Sequence, residues 1–162
     1  MKKGIPKTEL IVVVDNVRSV FNVGSFFRTS DAVGVSKIYL GGCTPTPLDR
    51  FNRPRKDLAK TALGAEQIIP WEYVKDIKKL LLNLKKEGYK ILALELSERA
   101  VDYKKAKLTA KNVLVVGNEV DGVDKNILSL ADEIIQIPMK GKKESLNVGV
   151  SYGIAVYRLL DK

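Results

Sequence analysis

The feature that most restricts the fold is a set of short, bare aliphatic runs that stop abruptly at polar or glycine residues. Leu10 to Val14 ends at Asp15, and comparable runs occur at Lys37 to Leu40, Ile91 to Leu94, Val113 to Val116 and Ile134 to Ile137. Such runs, lacking polar alternation, describe strands covered on both faces, as in parallel sheets. Helical spacing fills most of the intervals. Val23 to Val33 has it, and Val74 to Glu87 turns Val74, Ile77, Leu80, Leu81 and Leu84 inward and its lysines outward. Val148 to Leu160 follows Asn147, a good helix cap, and its Gly149, Ser151, Gly153 and Ala155 permit close packing on another backbone, in the same chain or a second one. The expected class is α/β, a mainly parallel sheet flanked by helices. No repeat or long linker divides the chain, so residues 1–162 are expected to form one domain, with Gly41 to Pro54 as a loop inside it.

Several chemistries are excluded by what is missing. Histidine is absent, which removes the Ser-His-Asp and Cys-His schemes and the imidazole proton shuttle. Cys43 is the only cysteine, so no intrachain disulfide and no thiolate zinc site can form; no metal is expected, and a reducing cytoplasm is the natural setting. Met1 to Glu9 lacks the apolar core of a signal peptide, and no apolar run is long enough for a membrane span. Lys and Arg number 28 against 19 acidic residues, a net charge of +9, which favours contact with a polyanion although it also serves solubility.

Three polar clusters stand at the carboxyl ends of expected strands, where open α/β sheets place ligands. The first runs from Asp15 through Arg18, Asn22 and Gly24 into a helix holding Arg28. Asn22 with Gly24 also suits a simple helix start. Arg28 interrupts an apolar helix, where a fixed charge is costly unless paired or facing a ligand. The second is Gly117-Asn118-Glu119-Val120-Asp121-Gly122; a tight turn explains the glycines but not a carboxylate at the strand end. The third runs from Ile137-Pro138-Met139 through Gly141 to Ser145-Leu146-Asn147 at a helix entrance that favours anionic groups. Dinucleotide and triphosphate readings have no motif behind them, since neither Gly-x-Gly-x-x-Gly after the first strand nor a Walker lysine loop occurs.

In this order the clusters resemble the three motifs of the SpoU (TrmH-like) family of RNA 2'-O-ribose methyltransferases, in the SPOUT superfamily. The match rests on Asn22-Val23-Gly24 with Arg28, Gly117-Asn118-Glu119 with Gly122, and Ile137-Pro138-Met139 with Ser145-Leu146-Asn147-Val148. The resemblance implies a SPOUT-type domain with a C-terminal trefoil knot, working as a homodimer with its active site at the interface. It implies S-adenosylmethionine bound near Leu94, Glu95, Gly117, Asn118, Ile137, Met139 and Leu146, the adenine held largely by backbone groups. Arg28, Asn22, Glu119, Ser145 and Asn147 match the polar positions around the methyl donor and the target ribose. In-line attack of a ribose 2'-hydroxyl on the sulfonium methyl requires alignment and removal of a proton. An arginine is normally protonated, so Arg28 is expected to orient the hydroxyl or stabilise developing oxyanion character rather than act as a free base.

No separate RNA-binding domain is expected. RNA capture then falls to a basic surface: Arg18, Arg50, Arg53, Arg55, Lys56, Lys140, Lys142 and Lys143. The RNA is expected to be structured, transfer RNA ahead of ribosomal RNA. The alternatives are a noncatalytic RNA-binding protein that keeps the fold, and a methyltransferase acting on a base or a small molecule.

Overall fold

The computed structural model describes residues 7–161. Met1 to Pro6, part of the amino-terminal segment read above, and Lys162, at the end of the expected domain, lie outside the described residues. In chain order the elements are β1 (Glu9–Asp15), α1 (Val20–Val33), β2 (Lys37–Gly41), α2 (Lys56–Ala62), α3 (Ala65–Ile68), β3 (Trp71–Val74), α4 (Ile77–Lys86), β4 (Lys90–Leu94), β5 (Val101–Asp102), β6 (Lys111–Val116), α5 (Lys125–Leu128), β7 (Glu133–Gln136) and α6 (Val148–Leu160). The strands form one seven-stranded sheet in the order β3-β2-β1-β6-β4-β7-β5. Every strand pairing in it is parallel.

The aliphatic runs form the centre because both of their faces are covered. From β1, Leu10, Val12 and Val14 enter one core with Phe26, Phe27, Tyr152 and Val156, while Ile11 and Val13 enter a second with Ile77, Leu81 and Leu84. β6 divides likewise, Leu114 and Val116 to the first core and Val113 and Val115 to the second. This period of two assigns α1 and α6 to one side of the sheet and α4 to the other. On the first side α1 and α6 are pinned by buried Tyr152, whose ring meets Phe26 edge-on at 5.0 Å and whose hydroxyl shares a 2.6 Å hydrogen bond with Ser30.

Several boundaries differ from the sequence reading. α1 starts at Val20, not Val23, because the Ser19 side chain accepts from the Asn22 amide and caps the helix there. Asn22 is therefore inside the helix. Val74 closes β3 instead of opening α4, which Asp76 caps by accepting from the Lys79 amide. The Ile134 to Ile137 run stops one residue earlier, at Gln136. Among the described residues no helix is long and apolar enough to cross a membrane.

Candidate active site

The carboxyl ends of β1, β4, β6 and β7 lie side by side, since those strands are adjacent and parallel. The loops that leave β4, β6 and β7 build one cleft of about 200 Å³, and the β1 loop reaches its edge through the amides of Arg18 and Ser19, which donate to Glu119. Leu94, Leu96, Ile137, Leu146 and Val148 give it apolar walls, and Glu95, Asn118, Glu119, Ser145 and Asn147 give it polar edges. The volume is below that of pockets that enclose a whole drug-sized ligand. Its rim residues Val120, Ser145, Leu146 and Asn147 are exposed, so a larger ligand would project across them.

The floor depends on two glycines. Asn118 and Gly122 form a narrow antiparallel bridge, exchanging backbone hydrogen bonds of 3.0 Å in both directions. A Cβ on Gly117 would stand 2.4 Å from the Gly122 carbonyl carbon and the Val123 nitrogen, so only glycine permits this approach. Gly122 has φ +72°, and a Cβ there would strike the Glu95 carboxylate. That carboxylate accepts from the Val123 amide at 2.7 Å and the Leu96 amide at 2.9 Å. The Asn118 side chain donates to the Asn16 carbonyl at 2.7 Å and accepts from the amides of Val120 and Asp121. Glu95 and Asn118, expected as donor ligands, thus line the cleft while their side chains hold its loops.

At the opposite rim three side chains from distant segments meet. Glu119 accepts from the amides of Arg18 at 3.1 Å and Ser19 at 3.0 Å, and from the Asn22 side chain at 3.4 Å. Asn22 accepts in turn from the Asn147 side chain at 3.2 Å, while the Asn147 side-chain oxygen Oδ1 caps α6 by accepting from the amides of Gly149 and Val150. Burial works against the charged form of Glu119, but the Ser19 and Arg18 amides and the Asn22 amide group outweigh it and hold the carboxyl below its ordinary value. Glu119 is an anion tying the start of α1 to the β6 loop.

The backbone from 137 to 145 makes no hydrogen bond to other described residues. Its amides and carbonyls are left for solvent or a ligand, which suits recognition through the main chain. Ile137, Met139, Ser145 and Leu146 of the expected site border this segment and line the cleft.

Arg28 stands apart. It is exposed, does not line the cleft, and has no ion pair or side-chain hydrogen bond among the described residues. The sequence argument took it to interrupt an apolar helix, where it would need a partner or a ligand. That is corrected here: α1 buries Val23, Phe26, Phe27 and Ser30, whereas Phe21, Arg28, Asp31 and Ala32 face outward.

Of the expected RNA-contacting residues, Arg53 and Arg55 are paired with Asp49 and Asp57 at 2.8 and 3.1 Å. Arg18, Arg50, Lys56, Lys140, Lys142 and Lys143 are exposed. Cleft-wall residues to which sequence reasoning gave no site role are Leu96, Val120, Gly122, Gln136, Val148 and Ser151, of which Gly122 and Val148 stood in its motifs. Val120 carried a usable signal, an aliphatic residue inside a polar turn, and it is 88% exposed. Asp15, buried at the end of β1, was also left out. Desolvation pushes its carboxyl above the usual value and the Asp124 charge adds to the rise, against hydrogen bonds from the Asp124 amide and Asn16. No group of metal-ligating side chains occurs among the described residues.

A parallel sheet in this order, with three loops closing a cleft at its carboxyl edge, is a fold shared with solved SpoU-type enzymes and places the chain in the SPOUT-type class. The crystal structure of the AdoMet-bound rRNA methyltransferase from Sinorhizobium meliloti superposes with a TM-score of 0.84 at 28% identity, over 94% of this chain and 56% of that one. The model of the SpoU rRNA Methylase family matches residues 9–157, and the chain belongs to that family. It is 36% identical over 149 residues to the tRNA (guanosine(18)-2'-O)-methyltransferase of Aquifex aeolicus, covering 92% of this chain and 67% of the relative. It is 32% identical to the 23S rRNA (guanosine-2'-O-)-methyltransferase RlmB of Vibrio parahaemolyticus, covering 93% and 58%. The chain thus spans between 58% and 67% of the length of these two curated relatives.

Proposed function

We propose that this chain transfers a methyl group from S-adenosylmethionine to a ribose 2'-hydroxyl of structured RNA, as a homodimer in the cytoplasm. The observation that carries the reading is the Glu119–Asn22–Asn147 chain of hydrogen bonds, which gathers all three motif segments at the rim of one cleft. The residues present fit the donor: apolar walls for a planar heterocycle, and backbone of 137–145 free to bind its polar edges. When bound, the donor supplies an activated methyl group. Leu94, Gly117, Ile137, Met139 and Leu146 would hold it, and Ser145 and Asn147 would fix the ribose at the exposed rim. Glu119 keeps the Asn22 and Asn147 side chains aligned. The trefoil path of the C-terminal segment belongs to the same reading.

Arg28 enters through a second copy. α6 presents Val150, Ile154 and Tyr157, 52%, 38% and 57% exposed, in one stripe, and α1 adds Phe21 at 60%. A stripe at this spacing is a helix-packing surface left uncovered. Closing it against a second copy would put the neighbouring Arg28 at the interface, where a guanidinium can orient a hydroxyl and stabilise charge developing on its oxygen. The relatives' names divide between tRNA and 23S rRNA, so both are substrates to test.

The test is incubation with labelled donor and total RNA, then digestion to nucleosides. Label on the sugar fragment, with the base mass unchanged, is expected. Label on a base would replace the ribose by a base as target. Donor binding without transfer to either RNA would favour the noncatalytic RNA-binding alternative.

A further inference from the structure

The β2–α2 connection carries a feature that phosphate contacts alone do not require. Asp49 accepts from the amides of Phe51 at 2.8 Å and Arg53 at 3.0 Å, and its amide donates to the Arg53 carbonyl at 2.8 Å. A bridge between Leu48 and Pro54 closes the base of this tight loop. Its tip is Phe51, 61% exposed, with the guanidinium carbons of Arg50 and Arg53 at 4.8 and 5.0 Å from the ring centroid. A large aromatic side chain at a loop tip gains nothing from this exposure in the free protein. The loop borders a broad recess of about 1000 Å³, several times the volume of the donor cleft, whose wall includes Trp71 and Tyr73.

With a guanidinium of each arginine over the ring, the loop tip offers a cationic, partly apolar aromatic surface. Nucleobases of single-stranded RNA stack on such surfaces while the charges meet the adjoining phosphates. The loop root is tied to the cleft side of the sheet: Cys43 donates its amide to the Asn16 side chain at 3.0 Å, and the Val17 amide donates to Thr44 at 3.1 Å. Arg18 and Ser19, whose amides hold Glu119, follow directly. From these observations we propose that Phe51, flanked by Arg50 and Arg53, is a stacking site for one unpaired base of the RNA, outside the methyl-transfer site. The proposal rests on the RNA reading above and adds a preference for unpaired nucleotides beside the target.

The experiment measures fluorescence anisotropy of two labelled RNAs, a stem–loop and a fully paired duplex of the same stem, with the whole chain. Phe51→Ala is expected to weaken stem–loop binding roughly 5- to 100-fold and to leave duplex binding and S-adenosylmethionine binding as in wild type. Phe51→Trp should retain stem–loop affinity and Phe51→Leu should lose it, a comparison that survives even if the alanine variant folds poorly. Equal loss on both RNAs, or no loss with alanine or leucine, overturns the stacking site while leaving the RNA reading intact. A wild-type chain that binds neither RNA removes that reading, and the stacking site with it.

Discussion

Gly117→Ala tests whether the cleft floor is built by backbone contact. The added Cβ would lie 2.4 Å from the Gly122 carbonyl carbon and the Val123 nitrogen, where ordinary contact begins near 3.4 Å, so the two segments must part by about 1 Å. Neither neighbour is a side-chain tip that can swing away. Overpacking of this kind costs about 1–3 kcal/mol, and weakening the two Asn118–Gly122 hydrogen bonds adds about 1 kcal/mol. For a domain of this size the melting temperature should fall by roughly 5–15 °C. Because the displaced segment is the cleft wall, S-adenosylmethionine affinity by calorimetry should fall further than stability alone explains. Gly141→Ala is the control: a Cβ there meets nothing within 4 Å, and its stability should stay within about 0.5 kcal/mol of wild type. A Gly117→Ala protein with wild-type melting temperature and donor affinity would show that the close approach does not shape the site.

Arg28→Ala should lower turnover by about 100-fold or more with donor affinity unchanged, the signature of a group acting on the transition state; a wild-type rate would remove its assigned role. Val150→Glu, at the amino-terminal end of the exposed α6 stripe, should halve the mass in light scattering and abolish activity, whereas an active monomer would refute the interface site. Asp15 titrates above its ordinary value of 3.8 in the fold, so its stabilising protonated form is fully present below the unfolded value and lost as pH rises through the folded one. Asp15→Asn should therefore flatten the decline in stability as pH rises above about 4 in urea melts; an unchanged slope would locate that decline elsewhere.

The central strands were legible because burial on both faces leaves no polar residue to obscure the run, as in Val113 to Val116. β3 was not. Glu72 and Tyr73 of this edge strand are exposed, so Trp71 to Val74 has no hydrophobic pattern to read. β5 is only two residues long, Val101–Asp102, and α2 sits directly after the arginine-rich loop without a side-chain cap. In the site, Asn22, Glu119 and Asn147 were found as polar interruptions at strand and helix ends. Their linkage was not, because Glu119 is held mainly by the amides of Arg18 and Ser19, and an amide has no letter in a sequence. The exposure of Arg28 was not legible for a related reason. Spacing gives the buried face of a helix but not where a single charge beside an apolar residue will point, and Phe27 is buried while its neighbour is exposed.

The free main chain of 137–145 has a consequence for how such a protein can change. Recognition of a small ligand by peptide groups is indifferent to the side chains hung on them, save for proline and tight glycine turns. Lys140, Lys142, Lys143 and Glu144 all point into solvent from this one stretch. On the proposed reading, the same few residues would hold the donor on one side while their charges drift to suit a different RNA on the other.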